Sequence, residues 1–306
     1  MLGEKRLKLR AAFFDSVRLF FKNKGFLEVD TPVRQPVVIP EANIVPIEAD
    51  GEYLQASPEL CMKRLLARGL TNIFQICPCF RKNEIGTLHM EEFRMLEWYR
   101  RGARYHALMD DCEQLLRAVD KDLTATGIGC GPGGDNFFAE TDLDMPFLRI
   151  TVAQAFDAYS RVPLEQAVRE GSFDEVLVED VEPKLGGGRP VFLYDYPVEL
   201  GSLARRKDEE PHLVERFELY INGIELANGF TELTDEREQR TRFHDEIEAI
   251  KQGRNVTTAL PERFLQDLEH LDSAAGIALG LDRLLMVAVN GRGLKEVVPF
   301  TPQDLT

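Results

Sequence analysis

The segment Arg216-Phe-Glu218-Leu-Tyr-Ile-Asn222-Gly223-Ile-Glu225-Leu-Ala-Asn228-Gly229-Phe230 constrains the fold more tightly than any other part of the chain. Asn-Gly between two alternating runs specifies a two-residue type I′ turn, because both central positions need φ > 0. The turn fixes the register, with Ile221 opposite Ile224, Tyr220 opposite Glu225 and Glu218 opposite Ala227. Phe217, Leu219, Ile221, Ile224 and Leu226 then share an apolar face, and Glu218 and Glu225 share the other as diagonal neighbours. Two carboxylates aimed at one point repel unless a cation lies between them or water screens each one. The pair is therefore either a Mg²⁺ site or a solvated strand face.

Around this hairpin the pattern alternates between helices and paired strands. Leu9, Phe13, Val17 and Phe20 recur at helical spacing, and Gly25 stops that helix. Phe26 to Pro32 reads as a short strand, and Ser57-Pro58-Glu59 as a helix start closed by Gly69. Two β-rich stretches, near 73–99 and 188–230, are separated by helical patterns near 106–126 and 152–184, with a Gly-Pro turn at 129–134. Further helices fall near 234–252 and 261–271, before a strand-to-helix unit from Gly276 to Val289. This order predicts an α+β fold, an antiparallel sheet flanked by helices, in one domain spanning 1–306.

A net charge of −15 over 306 residues repels a polyphosphate backbone and disfavours a free-standing nucleic-acid binder. No run approaches the length of a membrane helix and the first residues lack an apolar signal core, so a cytoplasmic protein is expected. Cys61, Cys77, Cys79, Cys112 and Cys130 lack zinc-site spacing and read as reduced, mostly buried thiols.

Two further constellations carry chemistry. Ile73 to Arg81 and Glu92 to Arg100 suggest a second hairpin, whose return strand sets Phe93, Met95, Glu97 and Tyr99 on one face. A strand facing only core would not choose Glu97. Its loop holds Lys82, Glu84 and His89, while Arg81 at the strand end can grip a phosphate through two donors. The third is Gly276-Ile-Ala278-Leu-Gly280-Leu-Asp282-Arg283, read as a strand opening through Gly280 into a helix capped by Asp282. That puts Arg283 and free amides at the positive end of the helix dipole. Solvated loops and caps would look similar.

Taken together these segments resemble the catalytic domain of class II aminoacyl-tRNA synthetases. Pro32 is similar to their dimer-interface motif, Phe80-Arg81 through Glu92-Phe93 to the second motif and Gly280-Leu-Asp-Arg283 to the third. Ser57-Pro-Glu59, Met95-Leu-Glu97-Trp-Tyr99 and Gly223-Ile-Glu225-Leu-Ala-Asn-Gly-Phe-Thr-Glu232 resemble the lysyl branch, and most of all its stand-alone paralogues that lysylate elongation factor P. The resemblance implies a homodimer that uses ATP and Mg²⁺ to activate lysine or (R)-β-lysine as an adenylate and passes it to a lysine of elongation factor P. It implies no anticodon-binding domain and no stable tRNA binding. Alternatives in the same frame are a tRNA-lysylating fragment and a non-catalytic regulator.

Carried over, Arg81 and Arg283 hold the α- and γ-phosphates, with the adenine between Phe93 and Arg283 and with Glu84, His89 and Gly280 in the ATP site. Glu218 and Glu225 hold Mg²⁺. Ser57, Glu59, Glu97, Tyr99, Asn228, Glu232 and Ala278 surround the amino acid, Ser57 and Ala278 being the paralogues' choices. Hairpin parity puts Asn228 and Glu232 on the apolar face, so their role requires the pleat to break near Gly229. Met90 and Glu91 depart from the family's pattern after His89.

Overall fold

The computed structural model describes residues 1–129, 136–254 and 259–305. The Gly-Pro turn expected at 129–134 and Cys130 lie almost entirely outside them.

The first helix, α1 (Glu4–Asn23), buries Leu9, Phe13, Val17 and Phe21 and ends before Gly25, whose φ of 74° is left-handed. Four short strands follow, β1 (Leu27–Glu28), β2 (Arg34–Gln35), β3 (Ile47–Ala49) and β4 (Glu52–Leu54), then α2 (Glu59–Ala67). The second hairpin is β5 (Asn72–Phe80) and β6 (Glu92–Arg101), followed by α3 (Tyr105–Ala125). The strand β7 (Leu148–Thr151) leads into α4 (Val152–Tyr159), α5 (Leu164–Glu170) and α6 (Phe173–Val176). Next come β8 (Val191–Pro197), β9 (Leu213–Ile221), β10 (Ile224–Thr231), α7 (Glu236–Arg254) and α8 (Glu262–Leu268). The last unit is β11 (Ala274–Gly280) with α9 (Leu281–Ala288).

Eight strands form one sheet in the order β1-β5-β6-β11-β10-β9-β8-β7, and β2-β4-β3 form a small second sheet. The pairings from β5 through to β8 are antiparallel, as expected, whereas the edge pairs β1–β5 and β7–β8 are parallel. Short parallel edge strands follow from their connections, since the chain between the paired strands runs through helices, α2 for β1 and β5 and α4 to α6 for β7 and β8, rather than through a hairpin. One face of the central sheet presents Phe74, Leu96, Trp98, Phe217, Leu219, Ile277 and Leu279 to α1, α3 and α9. The buried Trp98 indole donates to Asp111 Oδ2 at 3.2 Å. The opposite face is closed at one side by Leu60, Met62 and Leu66 of α2 with Phe243, Phe264 and Leu265 of α7 and α8. What this second face leaves open is the cleft described next.

Candidate active site

The β9–β10 turn forms as the sequence requires, with Asn222 and Gly223 at φ 51° and 74°. Ile221 pairs with Ile224 and Tyr220 with Glu225, but Glu218 faces Asn228 rather than Ala227, which faces Leu219. A bulge between Glu225 and Ala227 absorbs one extra residue. This is a correction to the expected register: the pleat breaks at Leu226, not near Gly229. Its effect is to bury Leu226 and Ala227 in the core and to turn Asn228 towards Glu218. Side-chain alternation then carries Phe230 and Glu232 to the same face as Asn228.

Over this face lies a cleft of about 380 Å³. Strands β6, β10 and β11 form its floor, and the loops 36–46 and 81–91 are its sides. Phe93, Met95, Glu97 and Tyr99 all line it, as their shared strand face predicts.

One end of the cleft is acidic. Glu97, 1% exposed, accepts from Ser57 Oγ at 2.5 Å and from Tyr99 Oη at 2.8 Å. Ser57 Oγ also accepts from the Glu59 amide at 3.0 Å, which is how the Ser-Pro-Glu start orders the first turn of α2. One helical turn on, the buried Lys63 ion-pairs with both Glu59 and Glu232. Burial, reinforced by Glu59, pushes the Glu97 carboxyl up to about 8. Burial also raises Glu232 to about 8, against the opposing pull of Lys63. Gly276 sits directly opposite Tyr99 across the β6–β11 ladder. A Cβ there would overlap both the Tyr99 ring and the Glu232 carboxylate, so only glycine permits this convergence.

The other end holds the cations. The Arg81 guanidinium lies 5.3 Å from the Phe93 ring centroid, with Nη1 3.6 Å from Glu84. Arg283, in the first turn of α9, donates to the carbonyls of Leu88 (3.2 Å) and Glu225 (3.0 Å), and its Nη2 is 2.6 Å from His89 Nε2. Burial and Arg283 lower the His89 pKa, which favours a neutral imidazole able to accept that bond. Glu225 lines the cleft with its carboxylate 3.7 Å from Arg283, and burial together with Glu218 raises it to about 7.

Glu218 itself lies beneath the floor. Its Oε2 accepts from the hydroxyls of Tyr196 (2.6 Å) and Tyr220 (2.7 Å), and its Oε1 from Arg216 (2.7 Å) and the Asn228 amide (3.3 Å). The side-chain oxygen Oδ1 of Asn228 is buried and, among the described residues, has no hydrogen-bond partner.

One expectation for the third motif is corrected. Asp282 does not cap α9; it bonds the Arg94 amide at 2.7 Å and pairs with Arg10 at 2.7 Å, tying the helix to β6 and α1. Gly280, the residue at the cap position, has no atom closer to a would-be Cβ than the Arg283 side chain at 3.8 Å, so close packing does not require glycine there. Four residues of the site escaped the sequence reading: Glu41, which lines the cleft from the 36–46 loop, and Lys63, Arg216 and Gly276. The Glu59–Lys63 spacing and the shared parity of Arg216 and Glu218 were available signals. The role of Gly276 was not, because it depends on Tyr99 and Glu232, which are distant in sequence.

Comparison with known proteins agrees with this architecture. The family described as tRNA synthetases class II (D, K and N) matches residues 3–304. The elongation factor P–(R)-β-lysine ligase of Edwardsiella ictaluri is 36% identical over 308 residues, covering 95% of this chain and 93% of that protein. The ligase of the same name from Pectobacterium carotovorum is 37% identical with the same coverage, and that from Pseudoalteromonas translucida 34% identical over 96% and 94% of the two chains. With a sheet, hairpins and cleft of this kind and relatives matched nearly end to end, the chain belongs to the class II aminoacyl-tRNA synthetase family of the D, K and N type.

Proposed function

We propose that the protein activates lysine or (R)-β-lysine with ATP and transfers it from the adenylate to a lysine side chain of elongation factor P. The observation that carries this reading is the acidic end of the cleft, where Glu59, Glu97 and Glu232 converge around the single ammonium of Lys63. Buried carboxylates in excess of their cation call for a second cation, and a substrate ammonium supplies it. The three relatives named above act, by their names, on (R)-β-lysine and elongation factor P.

On this reading Ser57, Glu59, Glu97, Tyr99, Asn228, Glu232 and Ala278 surround the amino acid, with the unpartnered Asn228 Oδ1 able to accept from an amino group. Arg81, Phe93 and Arg283 bind ATP, with Glu84, His89 and Gly280 beside them. Arg81 and Arg283 supply positive charge at the phosphates, and no side chain has to move a proton while the substrate carboxylate attacks the α-phosphorus.

The carboxylates fit Mg²⁺. Burial, reinforced by the Glu218 carboxylate, raises Glu225 to about 7, and a divalent cation beside it would relieve both. Glu218 can join it by releasing Asn228, the longest of its four contacts. When bound, the ion neutralises phosphate charge and orients the triphosphate.

Pyrophosphate exchange with α-lysine, (R)-β-lysine and norleucine tests the reading. Norleucine keeps the chain and lacks the terminal ammonium, so its exchange is expected to fall by at least about 10³-fold, since a site built for a charged group leaves its own charges unpaired without it. Equal exchange with norleucine would refute the reading.

A further inference from the structure

The transfer step needs a base, because the acceptor lysine arrives as an ammonium. Among the described residues the cleft is lined by six carboxylates, and five of them are committed. Glu97 is bonded to Ser57 and Tyr99, Glu59 to Lys63, and Asp282 to Arg10 and Arg94. Glu84 and Glu225 lie 3.6 and 3.7 Å from arginine nitrogens. The sixth is Glu41, on the loop between β2 and β3, whose carboxylate makes no hydrogen bond or ion pair among the described residues.

We propose that Glu41 is the general base of the transfer step and takes a proton from the acceptor's ε-ammonium. The inference rests on the function proposed above. Position supports it: Glu41 lines the same cleft as Glu59 of the acidic end and Arg81 of the phosphate end, and the adenylate carbonyl must form between those two ends. The loop is pinned rather than trailing. The Ala42 amide donates to Glu246 of α7 at 2.7 Å, the Ile44 amide to the Glu41 carbonyl at 3.3 Å, and the Lys82 amide to the Val45 carbonyl at 2.8 Å. A group held at a side of the cleft, with free oxygens, can meet a side chain entering from outside.

The charged groups facing Glu41 come from four elements. Burial raises its pKa to about 7, and Glu59 of α2 and Glu246 of α7 add to the rise, while Arg81 and Arg216 of β9 oppose it. A base poised near the working pH is the most effective kind. In the step itself the ε-ammonium gives one proton to Glu41, and the neutral amine attacks the carbonyl carbon of the adenylate. The C–N bond forms, the C–O bond to phosphate breaks, and AMP departs with the electron pair. The second N–H proton leaves on a phosphate oxygen of AMP.

Single-turnover experiments with Glu41→Gln and Glu41→Asp test the assignment, using preformed adenylate and either elongation factor P or hydroxylamine. Hydroxylamine is uncharged at neutral pH and needs no base. For Glu41→Gln the rate of transfer to elongation factor P, relative to capture by hydroxylamine, is expected to fall at least about 10²-fold. Glu41→Asp should recover part of that ratio, and in the unsubstituted enzyme the ratio should rise with pH through about 7. An unchanged ratio in Glu41→Gln, or a parallel loss of both reactions, would overturn the assignment. Failure of the unsubstituted enzyme to form any adenylate would overturn the functional reading and this one together, and it is seen before the variants are compared.

Discussion

If Glu225 holds Mg²⁺ as proposed, Glu225→Gln is expected to lower pyrophosphate exchange by about 10²–10³-fold, the usual cost of removing a charge-stabilising group, and at the same time to stabilise the ligand-free fold at pH 8. The first effect follows because amide oxygen is a far weaker partner for Mg²⁺ than carboxylate. The second follows from the raised pKa. A carboxyl that titrates at about 7 in the folded protein and near 4.5 when unfolded opposes folding as pH climbs between those values, and the full penalty persists above pH 7. Gln removes the penalty, so the variant should melt above the parent at pH 8 and with it at pH 4. The Glu225 side chain is 38% exposed, which keeps the gain small. Exchange within a factor of three of the parent, or a lower melting temperature at pH 8, would contradict this account of Glu225.

Lys63→Met gives the largest loss of stability. The ammonium is 2% exposed in residue terms and is shared by two carboxylates, so its removal strands Glu232 in the core. Breaking a buried pair in this way costs about 3–5 kcal/mol, a fall of roughly 5–8 °C in melting temperature for a chain of this size. The loss should depend on pH. In the parent, Glu97 and Glu232 oppose folding increasingly up to about pH 8, where they are ionised in the folded state as well. Without Lys63 the folded-state values move higher still, so the gap between variant and parent should widen between pH 8 and 10. Thermal melts across that range check it; a gap independent of pH would mean that Lys63 acts only by filling space.

Much of this was legible because it is local. Asn222-Gly223 dictates its own turn, and parity along β6 assigns Glu97 and Tyr99 to one face without reference to anything distant. The bulge at Leu226 was hidden because no glycine marks it and its setting, between β9 and β11, is supplied only by the fold; Gly229, where Phe217 and Ile277 leave no room for a Cβ, is the glycine the sequence offered instead. Asp282 was misread for the same reason. An Asp-Arg pair at a helix start reads as a cap, and only the fold brings Arg10 and the Arg94 amide to it from 272 and 188 residues away. Glu41 carries no local signal at all, since its chemistry depends on groups from α2, α7, β9 and the 81–91 loop.

The central claim is that the acidic end of the cleft selects a lysine-like substrate for delivery to a protein amine. Mass spectrometry of purified elongation factor P and of bulk tRNA, each incubated with the enzyme, ATP and either lysine isomer, tests it most directly. The account predicts a single added lysyl or β-lysyl group on one lysine of elongation factor P, dependent on ATP, with tRNA charged at least about 10²-fold more slowly, as the net charge of −15 disfavours a nucleic-acid partner. Stable charging of tRNA at a comparable rate, or an unmodified elongation factor P alongside active adenylate formation, would contradict it.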